Sequence, residues 1–138
     1  MRIVIATVGA PRNRALAEAI ADYEGRAARY WPLDVREVRE ERLAGVVAEV
    51  DVVACSEDGA RMSSVEFARW LQAARERAKD FAFVIGGAFG LPETLLERAK
   101  SRLSLAPWTL PHELARLVLA EQLYRAGTIV RGEPYHKR

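Results

Sequence analysis

Apolar residues recur with two different periods along the chain, and these periods divide it into strands and helices. Short apolar or alternating runs predict strands at residues 2–9 (RIVIATVG), 33–38 (LDVREV), 50–55 (VDVVAC), 81–85 (FAFVI) and 102–105 (RLSL). Apolar residues at helical spacing predict helices over residues 13–30, 63–80 and 92–100 and within 104–127. Residues 40–49 fit either a short helix or a connection. Strands that alternate with helices predict an α/β domain with a mostly parallel sheet covered by helices.

Two helix starts carry local signals of their own. Ser63 and Glu66 have the spacing of a capping box, in which each side chain accepts a hydrogen bond from the backbone of the other residue. Pro92 suits the start of the following helix because its ring fixes a helical φ and its missing N–H is not needed there. Both helices are therefore predicted to begin at these positions.

The last helix, within SLAPWTLPHELARLVLAEQLYRAG (104–127), is apolar nearly all the way round. One stripe consists of Leu114, Leu117, Val118 and Tyr124, and a second consists of Ala115, Leu119, Leu123 and Ala126. A helix at the surface of a domain this small normally buries only one side. The second stripe therefore predicts a partner subunit, most simply in a two-fold homodimer. Glu121 and Arg125, spaced i, i+4 among these apolar residues, are candidate site residues rather than surface decoration.

Composition narrows the class of protein. The chain has 138 residues, enough for one domain spanning residues 1–138, and no apolar run approaches the length of a membrane span. One cysteine and two histidines give no spacing for a metal site, so no metal is expected. The N-terminus reads as a strand rather than a signal peptide, which predicts a cytoplasmic location. The net charge of +2 permits an anionic partner without requiring one.

Basic residues gather at the two ends of the chain, and such clusters are more often solvated surface than nucleic-acid sites. They are Arg12, Arg14, Arg26, Arg29, Arg131, His136, Lys137 and Arg138.

Four features carry possible chemistry, and each also has a plainer structural interpretation. IGGAFG (85–90) follows a strand, where it is either a tight turn or a ligand loop. Cys55 ends a strand without a nearby base, which favours a small buried or loop-lining residue over a nucleophile. For His112, in the first turn of the last helix, a capping or packing role is favoured over a chemical one. Tyr135 and His136 lie in a terminal segment that would ordinarily fray, yet their chemistry is unusual for such a tail.

Three segments together resemble the bacterial RlmH family of the SPOUT superfamily. They are FVIGGAFGL (83–91), LSLAPWTLPHELARLVLAEQLYRA (103–126) and RGEPYHK (131–137), and the strand IVIATVG (3–9) fits more loosely. The order TLPH, AEQLYRA, PYH at the C-terminus is highly specific, whereas the double glycine alone is not. The resemblance implies an α/β knot fold in which the C-terminal segment threads a loop to form a trefoil knot, an exception to the rule against knotted chains.

The resemblance also implies an activity, a cofactor and partners. The family's activity is S-adenosylmethionine-dependent methylation of N3 of a pseudouridine in a stem-loop of 23S ribosomal RNA. Its substrate is that RNA within the assembled 70S ribosome or large subunit, and the enzyme is a homodimer. The residues matched to the cofactor site are Cys55, Gly86, Leu105, Ala106, Pro107, Trp108, Thr109 and Leu110. Those matched to the catalytic positions are Glu121, Arg125, Tyr135 and His136.

The matched residues suggest roles in methyl transfer. N3 of pseudouridine is a poor nucleophile until its proton leaves, so a base or a cationic group near the imide is needed. Our hypothesis is that His136 is the base, that Arg125 stabilises charge on the carbonyl oxygens and that Glu121 orients Arg125.

The sequence departs from the family pattern in three places. The segment between the second and third strands is short, Cys55-Ser56 stands where many members carry Leu-Asp, and Ala88 replaces a commoner Pro or Ser. Contacts to the ribosome or to the edge of the cofactor are expected to differ there.

Three other functions are compatible with parts of the sequence. A methyltransferase of the same fold could act on another RNA such as a tRNA, and a catalytically silent ribosome-binding or assembly factor could keep the fold without the chemistry. A flavodoxin-like nucleotide binder would explain the alternating pattern but not the terminal PYH motif.

Overall fold

The computed structural model describes residues 1–137 and contains a five-stranded sheet in the order β2-β1-β4-β3-β5. Every neighbouring pair of strands is parallel. The strands are β1 (Ile3–Val8), β2 (Leu33–Val38), β3 (Asp51–Ala60), β4 (Phe81–Ile85) and β5 (Ser101–Leu103). The helices are α1 (Arg14–Ala27), α2 (Leu43–Val46), α3 (Ser64–Arg77), α4 (Glu93–Arg98) and α5 (His112–Arg131). The predicted α/β fold class is confirmed, and residues 40–49 resolve into a 3₁₀ turn (Glu40–Arg42) followed by α2.

Helices cover both faces of the sheet, and the central strands β1 and β4 are accordingly apolar on both sides. Successive side chains of β1 alternate between two cores. Ile3 and Ile5 pack with the side chains of α1, α3 and α5, whereas Val4 and Ala6 pack with α2 and α4. A strand buried on both faces reads as a continuous hydrophobic run rather than an alternating one. The run IVIATV therefore belongs to a central strand.

Strand β3 runs five residues further than its apolar pattern predicts. Cys55 and Ala60 both pair with Leu103 of β5, so the residues between them form a bulge. A Cβ at Gly59 would lie 2.7 Å from the backbone of Leu103, which shows why a glycine closes the bulge. The polar residues after Cys55 were predicted to end the strand, and that prediction was wrong because the pairing resumes at Ala60.

Helix ends also differ from the sequence pattern by two or three residues. The predicted capping box is present: the Ser63 backbone N–H donates to Glu66 (2.8 Å) and the Glu66 N–H donates to the Ser63 hydroxyl (3.1 Å). Helix α3 ends at Arg77 rather than Asp80 because Ala78 adopts a left-handed φ of 55°. Pro92 is the N-cap of α4 and thus lies just outside the helix, not in its first turn.

Helix α5 buries one face within the subunit, where it packs against α1 and α3. Leu119, Leu123 and Ala126 on this face are at most 1% exposed. The other stripe is only half-buried; it consists of Leu114, Leu117, Val118 and Tyr124. The structure thus confirms one buried stripe and leaves the other available.

Two buried polar contacts fix α5 against the rest of the subunit. The Arg116 guanidinium is 7% exposed and donates to Glu24 of α1 (2.8 and 3.0 Å) and to Glu37 of β2 (2.7 Å). The buried indole N–H of Trp31 donates to the backbone carbonyl of Leu123 at 2.9 Å. Arg116 therefore links α5 to both α1 and β2. Removing one partner of such a buried charge network would leave an uncompensated charge. Within the described residues no helix is both long and apolar enough to cross a bilayer.

Candidate functional site

A cleft of about 370 Å³ opens at the carboxyl ends of β3 and β4. Three segments line it: the start of the β3 bulge, the glycine turn after β4, and the loop that leads from β5 into α5. In parallel α/β sheets, ligands bind at the carboxyl edge of the strands. The cleft therefore lies where this fold class places a small-molecule site.

The glycine turn is closed by its own backbone. The N–H of Gly90 donates to the carbonyl of Gly87 at 3.0 Å. A Cβ at Gly86 would lie 2.4 Å from the backbone carbon of Gly90, and Gly90 itself has a φ of +82°. The sequence left open whether close approach here served a ligand or another part of the chain. The close contact is within the turn itself, and the turn presents backbone groups to the cleft because its glycines have no side chains.

The loop before α5 is held in place by side-chain hydrogen bonds. The Ser104 hydroxyl donates to the carbonyl of Ala106 at 2.7 Å. The Thr109 hydroxyl donates to the Glu57 carboxylate, which joins this loop to the β3 bulge. The hydrogen bond between Thr109 and Glu57 thus connects two of the three segments that line the cleft.

Seven of the eight residues matched to the cofactor site line this cleft. The seven are Cys55, Gly86, Leu105, Ala106, Trp108, Thr109 and Leu110; Pro107 does not line it. Burial raises the pKa of the Cys55 thiol to about 12, so this side chain is a neutral wall residue at physiological pH and not a nucleophile.

Several lining residues were not singled out from the sequence. Glu57 supplies a carboxylate, Leu91 lies just beyond the glycine turn, and His112, predicted only to cap or pack, also faces the cleft. The signal that finds Glu57 and Leu91 is position, since Glu57 lies just after the apolar run of β3 and Leu91 ends the turn that follows β4, both at the carboxyl edge of the sheet.

The four residues matched to catalytic positions form one cluster at the other end of α5. Arg125 donates to Glu121 through two nitrogens, with Nη2–Oε2 at 2.7 Å and Nε–Oε1 at 3.3 Å. Arg125 Nη1 lies 3.0 Å from His136 Nδ1. The Tyr135 hydroxyl donates to Glu121 Oε2 at 2.8 Å. The cluster therefore joins the helix to the terminal segment.

Further contacts hold the terminal segment in place. The Tyr135 ring packs against the Tyr124 ring with centroids 4.6 Å apart, and the Arg125 guanidinium lies 4.8 Å from the Tyr135 centroid. Gln122 donates to Glu121 and accepts from the Ser64 hydroxyl at the start of α3. Tyr135 and His136 are thereby attached to helix α5, whereas residues of a terminal segment are usually free.

Contacts within the cluster fix the protonation states of Arg125 and Tyr135. The Glu121 carboxylate raises the pKa of Arg125 further above its already high value. Desolvation, reinforced by the hydrogen bond to Glu121, raises the pKa of Tyr135. Tyr135 is thus a neutral hydrogen-bond donor and Arg125 a permanent cation at physiological pH.

The cluster and the cleft are separated within one subunit. Ala115 lines the cleft, whereas Arg125 lies ten residues further along the same helix, which is about 15 Å at the rise of an α-helix. None of the four cluster residues lines the cleft. The structure therefore gathers each predicted set of residues but does not bring the two sets together in one chain.

Two of the basic residues near the termini contact neighbouring side chains or backbone. The Arg131 guanidinium lies 4.7 Å from the Tyr30 ring centroid and its Nη2 donates to the carbonyl of Arg29. Arg26 pairs with Asp22 at 3.2 Å. Arg138, also among the basic residues of the tail, lies outside the described residues.

Comparison with known proteins identifies the family. The family described as "Predicted SPOUT methyltransferase" matches residues 1–136. A relative named Ribosomal RNA large subunit methyltransferase H from Gemmatimonas aurantiaca is 57% identical over 154 residues, covering 99% of this chain and all of the relative. A relative of the same name from Listeria monocytogenes is 39% identical over 159 residues, with the same coverage.

Solved structures support the same fold at much lower sequence identity. A probable methylase family protein from Haemophilus influenzae superposes with a TM-score of 0.61 at 12% identity, covering 99% of this chain and 70% of that one. The SpoU methyltransferase AviRb from Streptomyces viridochromogenes, solved in complex with AdoMet, gives a TM-score of 0.50 at 12% identity, covering 96% of this chain and 58% of that one. Together with the fold and the cleft, these matches show that the chain belongs to the RlmH family of SPOUT methyltransferases.

Proposed function

We propose that this protein transfers a methyl group from S-adenosylmethionine to N3 of a pseudouridine in a stem-loop of 23S ribosomal RNA within the assembled ribosome. The observation that carries the proposal is the cleft at the carboxyl edge of the sheet, built from the glycine turn and residues 105–110 in a member of this family. Relatives covered over their whole length are named large-subunit ribosomal RNA methyltransferases. The whole chain would act as one domain in the cytoplasm, where ribosomes are found.

The residues of the cleft fit S-adenosylmethionine. Apolar side chains such as Ile85, Leu105 and Leu110 suit the faces of an adenine ring, and the glycine turn offers backbone donors and acceptors to its edge. Glu57 and Thr109 supply the polar groups that ribose hydroxyls need. When bound, S-adenosylmethionine supplies an electrophilic methyl carbon, and the electron pair of the broken bond stays on its sulfur.

A homodimer would complete the site. Glu121 and Arg125 lie on the same face of α5 as the half-buried stripe, since Leu114, Leu117 and Val118 precede them at helical spacing. If two α5 helices pack across a two-fold axis through this stripe, the cluster of one subunit lies at the interface and can face the cleft of its partner. This arrangement would also account for the second apolar stripe.

The chain's own residues would then activate the pseudouridine. In the cluster, Arg125 Nη1 lies within hydrogen-bond distance of His136 Nδ1. His136 can therefore accept the N3 proton at Nδ1 only when Arg125 Nη1 moves away from it. The same movement would bring the guanidinium to a carbonyl oxygen of the base, where the negative charge of the imide develops. Glu121 would keep the guanidinium oriented during this movement, because its carboxylate accepts hydrogen bonds from Nε and Nη2 of Arg125.

Target recognition would depend on the ribosome rather than on charge alone. A subunit with a net charge of +2 cannot bind RNA tightly through phosphate contacts only. Sequence-specific RNA recognition uses unpaired loop bases presented by a folded RNA. An assembled ribosome or large subunit supplies that presentation.

The decisive experiment is methyl transfer from labelled S-adenosylmethionine to ribosomes from cells that lack the modification, followed by mapping of the methylated nucleotide. We expect label at N3 of one pseudouridine of 23S ribosomal RNA, and none in tRNA offered under the same conditions. Label in tRNA alone would assign the enzyme to another RNA. Binding to ribosomes without any transfer would indicate a silent assembly factor.

Two variants test how the site is shared. His136→Ala alone should abolish single-turnover methylation at neutral pH, and near-normal transfer would refute the base assignment. Gly86→Ala should lose cofactor binding. In a mixture of the two variants, a heterodimer contains one intact cleft facing one intact cluster, so activity should return if the sites are shared between subunits. No recovery, with mixed dimers shown to form, would place each site within one chain.

A further inference from the structure

We propose that Phe89 and Trp108 are stacking platforms for unpaired nucleobases of the RNA at the mouth of the cleft, and thus determine substrate affinity rather than methyl transfer. This inference rests on the proposed function, because it assigns a role toward the RNA at the same site. Phe89 belongs neither to the residues matched to the cofactor site nor to the cluster on α5; Trp108 is one of the matched residues, but its side chain is largely exposed.

Both side chains are exposed to an extent that packing does not explain. Phe89 is 99% exposed and Trp108 is 79% exposed. Among residues 1–137 the other large apolar side chain that is exposed is Val130, at 37%. Scattered apolar residues on a surface are ordinary, but here two aromatic rings border a single cleft.

Hydrogen bonds fix the backbone segments that carry these two rings. Phe89 is the third residue of the turn closed by the hydrogen bond from Gly90 to Gly87, and its side chain stands at the tip of that turn. Trp108 lies in the loop held by the contacts of Ser104 and Thr109. A rigid aromatic side chain loses little conformational entropy on binding, which favours a recognition role.

Backbone and side chain at these positions would serve different ligands. The glycine turn and the loop before α5 both line the cleft in which the cofactor fits, while the side chains of Phe89 and Trp108 remain largely exposed to solvent. The pseudouridine must reach the methyl group through the mouth of the cleft. Side chains at that mouth therefore meet the RNA.

The chemistry of the rings matches an unpaired nucleobase better than a protein partner. The half-buried stripe on α5 already provides an apolar face for a second copy of the chain. Unpaired bases of RNA loops stack on aromatic side chains, and such stacking is tolerant of sequence. Because the net charge of +2 gives little phosphate affinity, stacking would supply binding that charge does not.

The test measures KM for unmodified ribosomes, kcat, cofactor affinity by calorimetry and oligomeric state by sedimentation. Phe89→Ala should raise KM by about tenfold, with kcat and the cofactor Kd changed less than about threefold, and Trp108→Ala should raise KM by about tenfold beyond any change in the cofactor Kd. Phe89→Tyr and Trp108→Phe, which keep a ring, should stay near wild type, whereas Phe89→Leu, which keeps apolar area only, should behave like alanine. Val130→Ala is the matched control for losing an exposed apolar side chain away from the cleft.

The outcomes separate this inference from the proposed function. If the wild type methylates ribosomes but both alanine variants keep its KM, the stacking role is wrong and the proposed function stands. If Phe89→Ala dissociates the dimer, the ring belongs to the subunit interface, which also overturns the inference. If the wild type transfers no methyl group to ribosomes, the proposed function fails and the stacking role fails with it.

Discussion

His136 Nδ1 lies 3.0 Å from Arg125 Nη1, and since a guanidinium can only donate, this contact is a hydrogen bond in the tautomer whose Nδ1 carries no proton. That tautomer has its hydrogen on Nε2. Nε2 is a donor in this state, able to contact a carbonyl oxygen of the base, while the basic lone pair is covered by Arg125. The pair is thus held ready for a reaction in which both partners change their contacts.

The first prediction concerns the two-nitrogen contact of Arg125 with Glu121. Arg125→Lys keeps the charge but cannot reproduce the fork, so it should lower the single-turnover rate about 100-fold while leaving the cofactor Kd unchanged. Rapid-quench methylation and calorimetry measure the two quantities. Arg26→Lys, in the similarly spaced pair with Asp22, is the matched control and should retain its rate. Equal losses in both variants would mean that replacing any paired guanidinium on the surface lowers the rate, and that the cluster has no special role.

The second prediction concerns the closure of the glycine turn. Gly86→Ala forces a Cβ to within 2.4 Å of the Gly90 backbone, so the turn must open. We expect a loss of about 1–3 kcal/mol in the free energy of unfolding and no detectable cofactor binding. Gly25→Ala, on an exposed helical position with nothing within 4 Å of the new Cβ, should instead gain about 0.5 kcal/mol. Urea denaturation and calorimetry together decide, and intact cofactor affinity in Gly86→Ala would contradict the assignment of the cleft.

The third prediction concerns the contact of α5 with the residues after α1. A Cβ at Gly127 would lie 2.3 Å from Tyr30 Cγ, so Gly127→Ala pushes the ring away from the helix. The variant should lose about 2 kcal/mol of unfolding free energy, within the range for overpacked cores. In a chain that already carries Tyr30→Ala, the change Gly127→Ala should lower the unfolding free energy by less than it does in the wild type. Simple additivity of the two single effects would show that the ring and the glycine do not compete for space.

The fourth prediction is a pH dependence at the capping box of α3. Hydrogen bonds from Ser63 lower the pKa of Glu66 below its ordinary value of 4.5. A carboxyl whose pKa is lower in the folded state stabilises the fold above its unfolded pKa, and that contribution is lost as pH falls through the folded pKa. Glu66→Gln should therefore show a shallower fall in unfolding free energy below about pH 4.5 than the wild type. Urea denaturation between pH 3 and 7 measures the slope. The same fall in unfolding free energy at low pH in both proteins would show that Glu66 does not contribute to it.

The sequence predicts those parts of the fold whose signals come from residues close together in the chain. The buried run at residues 3–8, the capping box at Ser63 and the alternation of strands with helices depend on residues that are neighbours in the chain. Helix ends were less accurate, because a left-handed residue such as Ala78 carries no local mark when it is not a glycine. The β3 bulge was missed because it depends on where β5 pairs.

The candidate site was predictable to the extent that its chemistry lies on short contiguous segments. The run at residues 105–110 and the tail at residues 135–136 were found by resemblance, and the structure gathers the first at the cleft and the second against Arg125. The separation of the two sets along α5 follows from the sequence, since residues 105–110 precede the helix and Arg125 lies in its second half. Only the tertiary structure shows that the tail returns to Arg125 and not to the cleft.

The sequence by itself determined which segments become strands and helices, which helix face is apolar, and which family the chain resembles, because periodicity and motif order are local. Only the tertiary structure decided that Gly86 is required by its own turn, that Arg116 reaches Glu24 across 92 residues, and that Phe89 stands fully exposed beside the cleft. The reason is physical: burial and contact at these positions depend on segments distant in the chain, whose approach is fixed by packing of the whole sheet and its helices.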